Sequence, residues 1–266
     1  MKTRLISVAI MLPLLVFLFL GKIPLLCACL VLSVLALKEF YDGFKNLEIK
    51  CAFAVGIAAA FALYAALFAS CFIVKDLEFY EDMLPMWFSL IFIACTLMIL
   101  CDPHHNILGP TYTFFGIIYI LLMVSYIVMI DNIAHRWVWM PFIIAYMSDT
   151  GGYLIGCYFG THKIAPILSP KKTREGSIGG IAFGIIGSLI FALIAARQYI
   201  ILCLVLGLVG SILAELGDLV ASAFKRKMGI KDYSNLIPGH GGIMDRIDSV
   251  LFTAPVVYAA VNLFVR

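Results

Sequence analysis

Four residues near the C-terminus, Glu215, Asp218, Ser222 and Lys225, carry types and spacing suited to chemistry. The steps of three, four and three residues place them on one face of a helix. Asp245 and Asp248 repeat the pattern three residues apart. Between the two sets runs Ser222-Ala-Phe-Lys-Arg-Lys-Met-Gly-Ile-Lys-Asp-Tyr-Ser-Asn-Leu-Ile-Pro-Gly-His-Gly-Gly-Ile-Met-Asp-Arg-Ile-Asp248. Pro238, Gly239, Gly241 and Gly242 break this stretch, so it should open as a helix, turn through a loop and re-enter a helix near Ile243. Carboxylates from two elements, Asp218 and Asp245, could meet on Mg²⁺. That ion takes oxygen ligands, typically one or two carboxylates with substrate phosphates. Gly241 and Gly242 beside His240 could form an amide nest for a phosphate.

Two further polar groups stand where apolar residues dominate. Asp149, between Ser148 and Thr150, falls near the middle of an apolar run. A charge at the centre of a spanning helix costs about 2.5–3.5 kcal/mol on insertion scales, so an acid there is functional by default. The alternative is a polar contact between helices, and Gly152, Gly156 and Gly160 at four-residue spacing do suit close helix packing. The second group is Ser169-Pro-Lys-Lys-Thr-Arg-Glu-Gly-Ser-Ile-Gly-Gly180. Lys171, Lys172 and Arg174 precede a glycine-rich helix start, where free amides and cations suit a polyphosphate. An ordinary positive-inside loop has the same composition. The run is not a Walker A loop, because no G-x-x-x-x-G-K-[ST] occurs.

The elements that must position these groups are membrane spans. Of 266 residues, 63% are hydrophobic and only 13% charged, about half the charge of a typical soluble domain. Apolar segments fall at 5–21, 23–37, 51–74, 84–101, 112–130, 137–160, 178–196, 199–221 and 249–265. The fold class is therefore all-α: a polytopic integral membrane helix bundle of about nine spans, N-terminus cytosolic. The 23–37 segment is short for a crossing and could form a shallow hairpin with the first. The first imitates a signal peptide but lacks a convincing cleavage site. With the N-terminus inside, fourteen of the nineteen Lys and Arg lie on the inner side. Asp76, Glu78, Glu81 and Asp82 then crowd an outer loop. Residues 1–135 form N-terminal spans. Residues 136–266 form the catalytic spans, with cytosolic loops 161–177 and 222–248, in one continuous membrane domain. The eight cysteines sit in apolar runs with no C-x-x-C pair and read as packing residues. A net charge of +3 argues no nucleic-acid partner.

These features together imply Mg²⁺-assisted chemistry on phosphate groups at the cytosolic membrane face. Beyond that, the stretch resembles the defining motif of the CDP-diacylglycerol synthases, or phosphatidate cytidylyltransferases. Ser222, Lys225-Arg226, Lys231-Asp232, His240-Gly241-Gly242 and Asp245-Arg246-Ile247-Asp248 fill the family pattern without departure. Ser148-Asp149-Thr150 and Ser169-Pro170-Lys171-Lys172-Thr173 also look like the family, so the likeness covers roughly residues 145–250. The resemblance implies CTP and phosphatidate as substrates, with CDP-diacylglycerol and pyrophosphate as products. It also implies a homodimer among membrane lipids, in a bacterial cytoplasmic membrane. Asp218 and Asp245 would then hold Mg²⁺, a second cation being the alternative count. Lys171, Lys172, Lys225, Arg226, Lys231 and Arg246 would meet the triphosphate and the lipid phosphate. Ser222, His240, Asp248 and Asp149 would orient these groups or support the metal. A CTP-dependent lipid kinase would use similar charges. A transporter would also keep intramembrane acids, but should show a two-fold repeat, whereas the polar groups here crowd the C-terminal half. A CDP-alcohol phosphotransferase is disfavoured because its D-G-x-x-A-R run is absent.

Overall fold

The computed structural model describes residues 16–101, 107–236 and 241–266. Helices dominate because a long apolar run can satisfy its backbone in lipid only by bonding to itself. Among the described residues, seven helical stretches are long and apolar enough to cross a membrane. The chain is a multi-pass membrane protein. The apolar segment at 5–21 falls mostly outside the described residues.

The chain divides into two compact units, residues 1–132 with 228–245 and residues 133–227 with 246–266. The first unit contains α1 (Lys22–Phe44), α2 (Phe53–Phe68), α3 (Leu77–Cys101), α4 (Leu108–Gly116) and α5 (Met123–Ala134). Wider π-type turns extend α2 over Ala69–Val74 and join α4 to α5 over Ile117–Leu122. The interior is aromatic: Phe40 packs against Phe44, Phe115, Tyr119 and Tyr233. Polar bonds tie the helices where lipid gives no hydrophobic drive. Ser33 pairs with the Tyr64 hydroxyl at 2.8 Å, and Tyr41 donates to the Thr113 carbonyl at 2.6 Å. At 23 residues, α1 rises about 35 Å, so the segment expected to stop at residue 37 is long enough to cross. It continues because Lys38 is turned outward while Glu39 is buried and fully engaged.

The second unit contains α6 (Trp139–Phe159), a hairpin of β1 (Lys163–Ala165) and β2 (Ser169–Thr173), α7 (Arg174–Ala195), α8 (Ile200–Lys227) and α9 (Met244–Phe264), whose first two residues belong to the other unit. The antiparallel hairpin pairs Lys163 with Thr173 and Ala165 with Ser169. It occupies the stretch expected to be a plain basic loop. The expected segments 112–130 and 137–160 lie in one 52-residue helical run, more than twice a crossing's length. The backbone leaves the helix between them at Ala134, with φ −154° and ψ 93°.

Glycine lets α6, α7 and α8 approach closely. A side chain at Gly176 would meet the Gly152 carbonyl, and one at Gly207 would meet Ile185 and Ser188. The packing role expected of Gly152 and Gly156 therefore holds, Gly160 lies instead against Thr173 of β2, and Gly207, Gly210 and Gly217 pack α8 closely in the same way. All eight cysteines are free, four of them buried.

A candidate active site on two polar assemblies

The second unit gathers most of the chemically suited residues near the C-terminal end of α8. The helix runs to Lys227, six residues beyond the apolar segment, and carries Glu215, Asp218, Ser222 and Lys225 on one face as their spacing required. Thr173 caps α7 by accepting from the Gly176 amide at 3.2 Å, which fixes β2 directly against the helix start. That junction aims Lys172 at α8. Its ammonium lies 2.6 Å from Asp218 Oδ2 and 3.5 Å from the Glu215 carbonyl. One turn into α7, Ser177 donates to the Glu215 carboxylate. Arg226 reaches back to the Leu168 carbonyl at 3.4 Å.

Asp149 on α6 and Asp248 on α9 complete the group. Asp149 lies within electrostatic reach of Asp218, Lys172 and Glu215, and its carboxyl sits beside Ser249. Asp248 is buried, accepts the Ser249 amide at 2.8 Å, and feels Asp218, Lys225 and Asp149. Arg246 is near enough to influence Tyr146. Lys225 is buried to 9% exposure, whereas Arg226 and Lys227 are exposed. A merely solvated charged face would expose all three. Four acids and several cations from three helices and a hairpin thus converge, with Ser177 of α7 beside them. Lys171, next to Lys172 on β2, points to the exposed side.

Beyond α8 the chain turns at Gly229, φ 71°, into the loop that belongs to the first unit. Asp245 organises this loop. Its Oδ2 accepts the Tyr233 amide at 2.9 Å and the Gly242 amide at 3.0 Å. Gly241 needs its φ of 82°, and a side chain there would press on Asp245 and Asp232. Lys231 and Asp232 are exposed. His240 lies outside the described residues. Of the two glycines expected to form a phosphate nest, Gly242 has its amide held by the Asp245 carboxylate; the next two amides, Ile243 and Met244, are held by Glu39.

Glu39 was not singled out by sequence. It is 7% exposed and accepts from the Ser234 hydroxyl at 2.6 Å, the Ile243 amide at 3.1 Å and the Met244 amide at 2.9 Å. It therefore caps α9 from α1, where a negative charge offsets the partial positive charge of the helix start. The available signal was a lone acid inside the hydrophobic sequence Leu35-Ala-Leu-Lys-Glu-Phe-Tyr41.

Asp218 and Asp245 offer hard carboxylate oxygens without competing thiolates, a donor chemistry that fits Mg²⁺. Asp218 is partly exposed, at 29%, and is paired with the Lys172 ammonium. Among the described residues, no three His, Cys, Asp or Glu side chains are placed to hold a metal alone. A protein-only cage is not what Mg²⁺ ordinarily uses.

The profile of the cytidylyltransferase family matches residues 2–264. A phosphatidate cytidylyltransferase of Staphylococcus epidermidis is 30% identical over 258 residues, which is 96% of this chain and 95% of that protein. One of Bacillus subtilis is 36% identical over 184 residues, covering 65% of this chain and 68% of the relative. One of Staphylococcus aureus is 43% identical over 117 residues, covering 44% and 45%. The similarity includes the N-terminal spans, which had contributed only hydrophobicity and order. The chain belongs to the cytidylyltransferase family.

Proposed function

We propose that this member of the cytidylyltransferase family transfers CMP from CTP to phosphatidate, giving CDP-diacylglycerol and pyrophosphate. The reading rests above all on the intact polar pattern from Ser222 to Asp248 within a chain-long likeness to phosphatidate cytidylyltransferases. A phosphate oxygen of phosphatidate attacks the α-phosphorus of CTP. The new P–O bond forms as the bond to the β-phosphate oxygen breaks, and pyrophosphate departs with that electron pair. Such a transfer needs positioning and charge compensation more than a protein nucleophile.

Lys171, Lys172, Lys225, Arg226, Lys231 and Arg246 hold the phosphates of the two substrates. The Lys172–Asp218 pair, at 2.6 Å, supports this role for Lys172, because the acid holds the ammonium in place beside the other charged groups. Ser222, Asp248 and Asp149 orient these cations, and His240, Gly241 and Gly242 belong to the loop that meets substrate. Asp218 and Asp245 hold Mg²⁺, which when bound supplies charge neutralisation on phosphate oxygens. The pairing rests on the sequence motif and on the donor chemistry; a second cation is an alternative count. The enzyme works as a homodimer among membrane lipids of the bacterial cytoplasmic membrane, its site open to cytosolic CTP. The asymmetry of the basic residues supports that orientation.

The test is to incubate the purified protein in detergent with CTP, phosphatidate and Mg²⁺. A nucleotide-bearing lipid with pyrophosphate is expected. CDP with a newly phosphorylated lipid would instead identify a CTP-dependent kinase.

A further inference from the structure

The second unit has another charged feature, at the opposite end of its helices. A cavity of about 540 Å³ is lined by Ile133–Trp137, Ala195–Tyr199 and Val265. The size is within the range of small-molecule sites. Its polar lining includes Arg136, Arg197, His135 and Gln198, and among the described residues no acidic side chain lines it. Arg136 Nη1 donates to the Ala195 carbonyl at 3.4 Å, and Arg197 Nε donates to the Leu193 carbonyl at 3.1 Å. These bonds tether each guanidinium through one of its donors, of which an arginine carries five in a planar fork. Two tethered cations facing one cavity repel unless an anion lies between them.

The surroundings narrow the class of anion. Trp137 is buried between Phe191 and Tyr199, with ring centroids at 5.5 and 5.7 Å. Trp and Tyr beside arginines at helix ends mark a membrane–water boundary. Eighteen residues of α7 separate Ser177, in the candidate active site, from Ala195, a rise of about 27 Å. The cavity and the active site therefore stand at opposite ends of the same helices, nearly a hydrocarbon core apart. An anion at this level is within reach of lipid headgroups, and arginine forks match phosphate oxygens in pairs.

We propose that the cavity formed by Ile133–Trp137, Ala195–Tyr199 and Val265 binds a phosphate group, presented by the headgroup of an anionic phospholipid. It is a second lipid site, separate from the one that takes substrate. Its contacts hold the α5–α6 break and the α7–α8 connection to the adjoining leaflet.

The test reconstitutes the full chain into vesicles of phosphatidylcholine, with or without phosphatidylglycerol. Phosphatidylglycerol retained after mild detergent extraction is counted by mass spectrometry. In a second arm, inorganic phosphate is titrated against protein in phosphatidylcholine vesicles and the thermal midpoint is read. The parent should retain phosphatidylglycerol, and the Arg136→Gln/Arg197→Gln double variant should retain roughly tenfold less, as for loss of about 1.4 kcal/mol of binding. CTP turnover should stay parental in the double variant. If that variant does not fold, Arg197→Glu, which places an acid at an exposed position of the cavity, should abolish retention. A midpoint raised by inorganic phosphate in the parent alone, without retained lipid, would assign the phosphate to a soluble source and overturn the lipid reading. Equal behaviour of parent and variants in both arms would overturn the site altogether.

Discussion

Asp218 is the residue on which the proposed chemistry turns, and its partner in the structure is Lys172 at 2.6 Å. Removing its charge while keeping its shape frees that ammonium and, on the proposed function, deprives Mg²⁺ of a ligand. Asp218→Asn and Asp245→Asn should each lower turnover on the order of 10²-fold or more, the usual cost of losing a main electrostatic stabiliser. The double variant should be scarcely worse than the poorer single, because groups acting as a unit are non-additive. Initial rates against Mg²⁺ concentration for all four proteins decide it. Multiplicative losses would mean separate tasks. Asp149 differs in kind. The sequence presents it as a lone acid deep in a span, but it shares its surroundings with Asp218, Glu215 and Asp248. Neutralising one of several neighbouring acids relieves repulsion, so Asp149→Asn should impair turnover while leaving the yield of folded protein intact. Parental turnover in that variant would make the acid incidental. These acids were legible because lipid excludes charge, so each stood out from its apolar background. Their partners were less so: nothing in the spacing of Lys171 and Lys172 says which one faces Asp218.

At the scale of elements, the helix–loop–helix course from α8 to α9 follows directly from its glycines and the three- and four-residue steps. The β1–β2 hairpin did not show, because strands of three and five residues containing Pro170 and several lysines look like any basic loop. Nor did the length of α1, since Lys38 and Glu39 read as the end of an apolar run. Tertiary bonds override that local signal: Glu39 is buried because α9 and the preceding loop need an acceptor. Glu39→Gln keeps the shape but removes the charge shared by three donors. The expected loss is on the order of 1–3 kcal/mol, read as a lower thermal midpoint and faster proteolysis between residues 228 and 243. A parental midpoint and unchanged cleavage would show that the loop does not depend on this acid.

For the whole molecule, the sequence conveyed a helical membrane bundle because composition and run length alone require it. It did not convey the division into two units, in which residues 228–245 join the N-terminal spans. Such an exchange depends on contacts such as Phe40 with Tyr233 that no local pattern encodes. Orientation is a whole-chain property as well, and the basic asymmetry predicts that the β1–β2 hairpin faces the cytosol. Single cysteines replacing Asp82 and Ile167, both exposed, in a background without native cysteines, test it with an impermeant thiol reagent on intact cells. Position 82 should label and position 167 should not; the reverse would invert the topology. Which phosphorus of CTP is attacked separates cytidylyl transfer from phosphorylation, and labelled nucleotide reads it out. CTP carrying label at the α- or the γ-phosphorus is supplied in parallel with phosphatidate and Mg²⁺, and the lipid and aqueous fractions are counted. The account predicts α-label in the lipid and γ-label in pyrophosphate, with both signals reduced on the order of 10²-fold in Asp218→Asn. Label from the γ-position in the lipid would contradict it.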